Sequence, residues 1–364
     1  MKAIVTAARG AHIKPLTHTV NKHLIPLANK PMIFYALEHI ASSGIKDVGI
    51  IINQNDGRVT DTVGDGSRFG LNITYIEQQG GTLGLGHVIK VARSYLGDDK
   101  FMLYLGDNII VSNLSSLVSR FENGTANCLL ALAKVPNPQR FGVPEFNGNK
   151  IVKVEERPVY PKSEYAVAGL YFYDSASHLA SENIKPSSRG DYEISDIHTW
   201  LAQNGYDVQW VEVDGWWKDR ANPKDLLEGN KLILSIREAK YYNAHKSLIA
   251  KSAFIEPGVK LEGMVEVGEG TKIGGKTLIR GPVSIAGYCL IKDSYIGPYT
   301  SIGDKAEIHG GNIENSLIFD DVSVSTDTKI VDSVIGSGST ISSKNFELPK
   351  GNKIVIGENS NLAI

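Results

Sequence analysis

Apolar positions fall into two regimes along the chain. From about residue 251 onward a single aliphatic side chain recurs with a short period. Ile255, Leu261, Val267, Ile273, Ile279, Ile285 and Ile291 stand six apart without a miss. The series continues through Ile296, Ile302, Ile308, Ile313, Ile318, Val324, Ile330, Ile335 and Ile341 at spacings of five or six. Gly often follows the aliphatic residue, as in Ile273-Gly274 and Ile302-Gly303. One inward side chain per six residues is one short strand, and three such strands close a triangular coil of about 18 residues. Because one coil cannot bury its own apolar side, stacked coils are required, and the pattern predicts a parallel β-helix.

The earlier part of the chain alternates instead. Short apolar runs at 2–6, 48–52, 73–76 and 101–105 read as strands, while 32–43 and 85–95 carry helical spacing. Buried runs alternating with amphipathic helices predict an α/β domain with a Rossmann-like, mostly parallel sheet covered on both faces. Ligands of such sheets sit at the carboxyl ends of the strands. That directs attention to 7–12, 78–86 and 106–108. The expected division is 1–235 for the α/β domain, 236–250 for a connecting segment and 251–364 for the β-helix.

At 364 residues the chain exceeds one typical core, in keeping with two domains. A net charge of −2 leaves no electrostatic footprint for nucleic acid or an anionic membrane. No apolar run approaches the roughly 20 residues of a membrane span. The run from Met1 to Ala8 is too short for a signal peptide. Cys128 and Cys289 are far apart and form no CxxC pair, which argues against a zinc site or a disulfide framework. The expectation is a cytoplasmic protein with no nucleic-acid or membrane partner. The repeats contain one histidine, His309. A lone histidine on a coil reads as structural, so the β-helix is expected to stiffen the chain or build a homo-oligomer.

Several motifs carry candidate chemistry, some of them at these strand ends. The first reads Val5-Thr6-Ala7-Ala8-Arg9-Gly10-Ala11-His12, followed by Lys22-His23-Leu24-Ile25-Pro26-Leu27 and Lys30-Pro31-Met32. Then come Gly84-Leu85, Leu105-Gly106-Asp107-Asn108, Phe141-Gly142-Val143 and Glu155-Glu156-Arg157-Pro158. Ala168-Gly169-Leu170-Tyr171, Arg189-Gly190-Asp191-Tyr192-Glu193 and Trp216-Trp217-Lys218-Asp219 complete the set. Through these motifs nearly the whole chain resembles the sugar-nucleotidyltransferases. It is most similar to the long form of the glucose-1-phosphate thymidylyltransferases, which joins such an α/β domain to a β-helix. The resemblance to known hexapeptide repeats also implies a left-handed coil.

The resemblance implies a reaction in which the phosphate of a sugar 1-phosphate attacks the α-phosphorus of a nucleoside triphosphate. A nucleotide sugar forms and pyrophosphate leaves, with dTTP and glucose 1-phosphate as the leading pair. Two polyanions must be aligned and their charge neutralised. The matching positions make Asp107 and Asp219 the ligands of Mg²⁺, and Lys22 and Arg157 the phosphate-holding cations. Ala7, Ala8, Arg9, Gly10, Gln79, Gly84 and Asp107 would line the nucleotide. Gly142, Glu156, Arg157, Gly169, Tyr171 and Glu193 would line the sugar.

The phosphate loop departs from the family pattern of Gly-x-Gly-Thr-Arg. Ala8 puts a methyl where Gly allows close backbone approach. Ala11 removes a hydroxyl, and His12 stands in the place of the family's catalytic Arg. Three readings stay open: a working nucleotidyltransferase, a transferase turned to another phosphorylated or nucleotide-sugar substrate, and a non-catalytic relative that binds a sugar nucleotide.

Overall fold

The computed structural model describes residues 1–8, 21–54, 56–78, 81, 83–218, 222–244 and 248–343. The chain divides into two units, Met1–His245 and Lys246–Ile364.

In the first unit a sheet of seven strands is built from β1 (Lys2–Thr6), β2 (Asp47–Asn53), β3 (Asn72–Gln78), β4 (Phe101–Leu105), β5 (Cys128–Lys134), β6 (Tyr165–Tyr173) and β7 (Val208–Glu212). Their order is β7-β5-β6-β4-β1-β2-β3. All neighbours run parallel except at β6, which is antiparallel to both β4 and β5. Side chains alternate between two cores. Ala3, Val5, Met102 and Tyr104 face one, while Ile4, Phe101, Leu103 and Leu105 face the other. Period-two burial on both sides explains why these strands read as unbroken apolar runs.

Helices α1 (Met32–Ser42), α2 (Gly57–Val63) and α4 (Leu114–Asn123) cover the first core. Helices α3 (Leu85–Leu96), α5 (Ala176–Asn183) and α6 (Ile194–Gln203) cover the second. In α1 the buried stripe is Ile33, Leu37 and Ile40, at the spacing that marked the helix in the sequence. At the start of α4, Asn113 Oδ1 accepts from the amides of Ser115 and Ser116 at 3.0 and 3.4 Å, satisfying donors that the helix itself leaves open.

A 22-residue helix, α7 (Pro223–Ala244), occupies most of the stretch expected to be a connecting segment at 236–250. Leu226, Leu227, Ile233 and Leu234 are buried, and Asn230 Oδ1 accepts from the Ala28 amide at 2.8 Å. No Gly or Pro falls between Lys231 and Ala244, so nothing stops a docked helix at residue 235. The α/β unit therefore runs ten residues past the expected boundary at 235, to His245.

The second unit holds three parallel sheets of six, five and five strands. Ile273, Ile291, Ile308 and Val324 stack in register on one side. Ile279, Ile296, Ile313 and Ile330 stack on the second, and Ile285, Ile302, Ile318 and Ile335 on the third. Together they form one continuous apolar interior, the parallel β-helix predicted from the repeat. Both cysteines are buried and unpaired, one in each unit. Among the described residues no helix is long and apolar enough to cross a membrane.

Ile308 is fully buried, with Ile291 and Val324 as neighbours on either side. Ile308→Ala is expected to cost about 2–5 kcal/mol and to lower the melting transition of the second unit in calorimetry. The exposed Lys329→Ala is expected to stay within about 0.5 kcal/mol of the parent.

Candidate functional site

Three parallel strands end together. The Ala7 amide donates to the Ile51 carbonyl at 2.8 Å, and the Gly106 amide donates to the Thr6 carbonyl at 3.1 Å. Asn21 lies against this junction, fully buried. Its Nδ2 donates to the Ala7 carbonyl and to Asp56 Oδ2, both at 2.9 Å. Its Oδ1 accepts from the His23 amide at 3.0 Å and faces His23 Nδ1 at 2.9 Å. The short 3₁₀ turn Lys22–Leu24 then presents the Lys22 ammonium to the Asp107 carboxylate, just past β4. Both partners are mostly buried, so the pair must offset the desolvation of two charges. Burial, then the neighbouring Lys22 charge, pushes the His23 ring down to about 3. His23 is therefore neutral, and its proton sits on Nδ1, because Asn21 Oδ1 can only accept.

Asn108 forms the floor beside Asp107. It is fully buried; its Nδ2 donates to the Ala168 carbonyl at 2.6 Å and its Oδ1 has no protein partner. Opposite it the register of β6 shifts between Val167 and Tyr171. Gly169 sits in that break with φ of +68°, and a methyl there would lie 2.0 Å from Asn108 Nδ2. Only glycine fits both the conformation and the space. Tyr171 follows, buried and stacked on His198 at 5.4 Å and Tyr173 at 6.2 Å. Burial raises its pKa, and the Glu156 and Asp107 carboxylates push it further the same way. The phenol therefore stays neutral beside both acids.

Glu156 ends the antiparallel hairpin of Gly142–Asn147 and Lys150–Glu156, where it pairs with Gly142. Its Oε2 accepts from Ser195 Oγ at 2.8 Å. Its Oε1 faces Arg157 Nε at 3.7 Å and Arg189 Nη2 at 3.8 Å. Arg189 Nη2 also donates to Glu193 Oε1 at 2.8 Å, an oxygen that Ser187 Oγ reaches at 2.7 Å. On the α3 side, the Gly86 amide donates to the Tyr192 carbonyl at 2.7 Å and the Tyr192 amide to the Leu83 carbonyl at 2.8 Å. These two bonds tie Gly84 to the segment that carries Arg189 and Glu193.

The nucleotidyl transferase family profile matches residues 2–236. This chain belongs to that family. The likeness to individual members extends further. The chain is 39% identical to a glucose-1-phosphate thymidylyltransferase of Streptomyces antibioticus, over all of this chain and 99% of that protein. It is 38% identical to a low-salt glycan biosynthesis nucleotidyltransferase of Haloferax volcanii, over 99% of each chain. A Bacillus anthracis crystal structure, provisionally assigned as a glucose-1-phosphate thymidylyltransferase in complex with sucrose, superposes with a TM-score of 0.59. That match is 33% identical and covers 64% of this chain and 94% of the other.

Seen as a nucleotidyl transferase, the chain gathers two sets of the residues expected from its sequence. Ala7, Lys22 and Asp107 meet at the ends of β1 and β4, while Gly142, Glu156, Arg157 and Glu193 meet on the hairpin side. Gly169 and Tyr171 lie between them. Ala8 is half-buried and packs against the second core. Arg9, Gly10, Ala11, His12, Gln79 and Asp219 lie outside the described residues. Among the described residues no group of three His, Cys, Asp or Glu is placed to hold a metal. Four contributors were given no role by the sequence reading: Asn21, Asn108, Ser195 and Arg189. Asn108 and Arg189 stand inside quoted motifs, so a signal was present. Ser195 lies in the first turn of α6 and Asn21 beside Lys22, and neither carries a periodic mark.

His198 is buried, held by Tyr173 Oη at 2.7 Å, and its ring is pushed down to about 3 by burial. His39, His87 and His178 shift the same way, chiefly through burial. Unfolding lets these rings bind protons near their ordinary value, so the unfolded chain holds more protons below about pH 6.5. Stability is therefore full above that pH and falls as pH drops towards 3, by up to about 1.4 kcal/mol per pH unit per fully shifted ring. Urea unfolding at pH 7.5, 6 and 5 is expected to show this slope. His198→Phe is expected to show a shallower one, and an equally steep slope contradicts the assignment.

Proposed function

We propose that the chain transfers a nucleotidyl group from a nucleoside triphosphate to a hexose 1-phosphate, with dTTP and glucose 1-phosphate as the pair. The observation that carries this reading is the buried Lys22–Asp107 pair at the end of β4, joined through Asn108 to the break in β6 that precedes Tyr171. The pair suits phosphates, and Glu156 is a carboxylate suited to sugar hydroxyls. The full-length likeness to a glucose-1-phosphate thymidylyltransferase supports the choice of substrates.

A phosphate oxygen of the sugar attacks the α-phosphorus, and the bond from that phosphorus to the bridging oxygen of the β-phosphate breaks. Pyrophosphate leaves with the electron pair. Nothing in this exchange demands a protein nucleophile, so alignment and charge neutralisation carry the rate. Lys22 supplies an ammonium to the triphosphate. Arg157 and Arg189 flank the position of the sugar phosphate, and Glu193 orients Arg189. Ser195 turns Glu156 so that its other oxygen accepts from sugar hydroxyls. Gly142 leaves space for Ser195 and Glu156, and Gly169 leaves space for Asn108; with Tyr171 they line the sugar. The loop of Ala7, Ala8, Arg9, Gly10 and His12 takes the phosphates, and Gln79 and Gly84 the base.

Asp107 suits a hard divalent cation: it is a buried carboxylate at a strand end, its charge balanced by a side chain able to move aside. Strand Trp216–Lys218 runs antiparallel to Asn108–Ile110 and pairs Lys218 with Asn108. Asp219, the next residue of the same motif, is the second ligand in this reading. Held by Asp107 and Asp219, Mg²⁺ would neutralise charge on the triphosphate. The reading carries with it a cytoplasmic setting and a homo-oligomer; exposed Phe254 and Tyr288 on the β-helix support assembly.

Pyrophosphate release is to be measured with Mg²⁺, glucose 1-phosphate and each common nucleoside triphosphate. Release is expected with dTTP and only when the sugar phosphate is present. Asp107→Asn is expected to lower kcat by about 100-fold or more. Arg189→Ala is expected to raise the KM for glucose 1-phosphate by about tenfold, with a smaller change in kcat. Silence from folded protein with every triphosphate refutes the reading. It would favour a site turned to another phosphorylated or nucleotide-sugar substrate, which the Ala8 methyl in the phosphate loop already motivates.

A further inference from the structure

Lys22 stands between two residues that are more deeply buried than itself. Asn21 uses both groups of its carboxamide, holding the end of β1 through Ala7, the segment before α2 through Asp56, and His23 through two contacts. The His23 ring is buried against Gly106, where an added methyl would lie 3.3 Å from its Cδ2. Gly106 immediately precedes Asp107. The residues on either side of the ammonium are thus tied to the strand ends on either side of the carboxylate. A flexible four-carbon stem does not by itself fix where its ammonium stands.

We propose that Asn21, anchored by Asp56 and working with His23, is a positioning residue that holds the Lys22 ammonium against Asp107. The role in turnover rests on the nucleotidyl-transfer reading; the placement of Lys22 does not. Asn21→Asp removes both donors, and it sets a second carboxylate within hydrogen-bond distance of Asp56. Adding Asp56→Asn to it restores one donor between the two positions and removes the repulsion.

The test has two readouts on the full chain at one pH, with folding checked by circular dichroism. The first is acetylation of Lys22 by acetic anhydride, read by mass spectrometry and normalised to exposed Lys150. It is expected to rise about tenfold in Asn21→Asp and to return at least halfway in the double variant. The second is pyrophosphate release, where kcat is expected to fall about tenfold while the KM for glucose 1-phosphate stays within about twofold. If Asn21→Asp does not fold, Asn21→Ala, which adds no charge, carries the same expectations. Unchanged Lys22 acetylation in a folded variant overturns the proposal, as does a double variant that recovers neither readout. If the parent chain releases no pyrophosphate, the functional reading fails, and acetylation alone still decides the placement of Lys22.

Discussion

A sheet buried on both faces can carry polar chemistry only at its ends, and the α/β unit is organised around that constraint. The inner side chains of β1, Ala3 to Val5, and all those of β4 are committed to one of two apolar cores. Beyond β4 the first positions free of that commitment are Gly106-Asp107-Asn108, and beside them Ala7 ends β1 with its methyl still in the first core. The carbonyl and amide groups at those ends still need partners, since a buried backbone group without one is costly. Asn21 and the Thr6–Gly106 contact meet that need and thereby fix where Lys22 and Asp107 stand.

The site has two electrostatic halves of different character. Near β4 the charges are buried and few, with one ammonium against one carboxylate and a neutral imidazole beside them. Near the hairpin the charges are nearer the surface and arginine-rich, with Arg157 and Arg189 against Glu156 and Glu193. A compact ammonium suits a confined phosphate, while planar guanidinium groups suit an anion that must enter and leave. Tyr171 and Gly169 lie between the halves, and the break in β6 makes room for both.

Much of this was legible beforehand. The helix stripe of Ile33, Leu37 and Ile40, the strand 101–105 and the stacked isoleucines of the β-helix follow from periodicity, because burial repeats with the geometry of each element. Lys22, Asp107, Glu156 and Gly169 were each marked by a short motif. The extension of α7 past residue 235 was not legible. Its amphipathic pattern is weak, and what holds it is docking of Leu226, Leu234 and Asn230, the last on a residue two hundred positions away.

The sequence by itself determined the two architectures, the family and most of the residues that meet at the strand ends, because each leaves a local or periodic trace. Only the tertiary structure decided that Asn21 bridges Ala7, Asp56 and His23, that Asn108 fills the break at Gly169, and that Ser195 and Arg189 share Glu156. Those contacts join residues from separate elements, and side-chain hydrogen bonds across such separations have no period in the chain that could announce them.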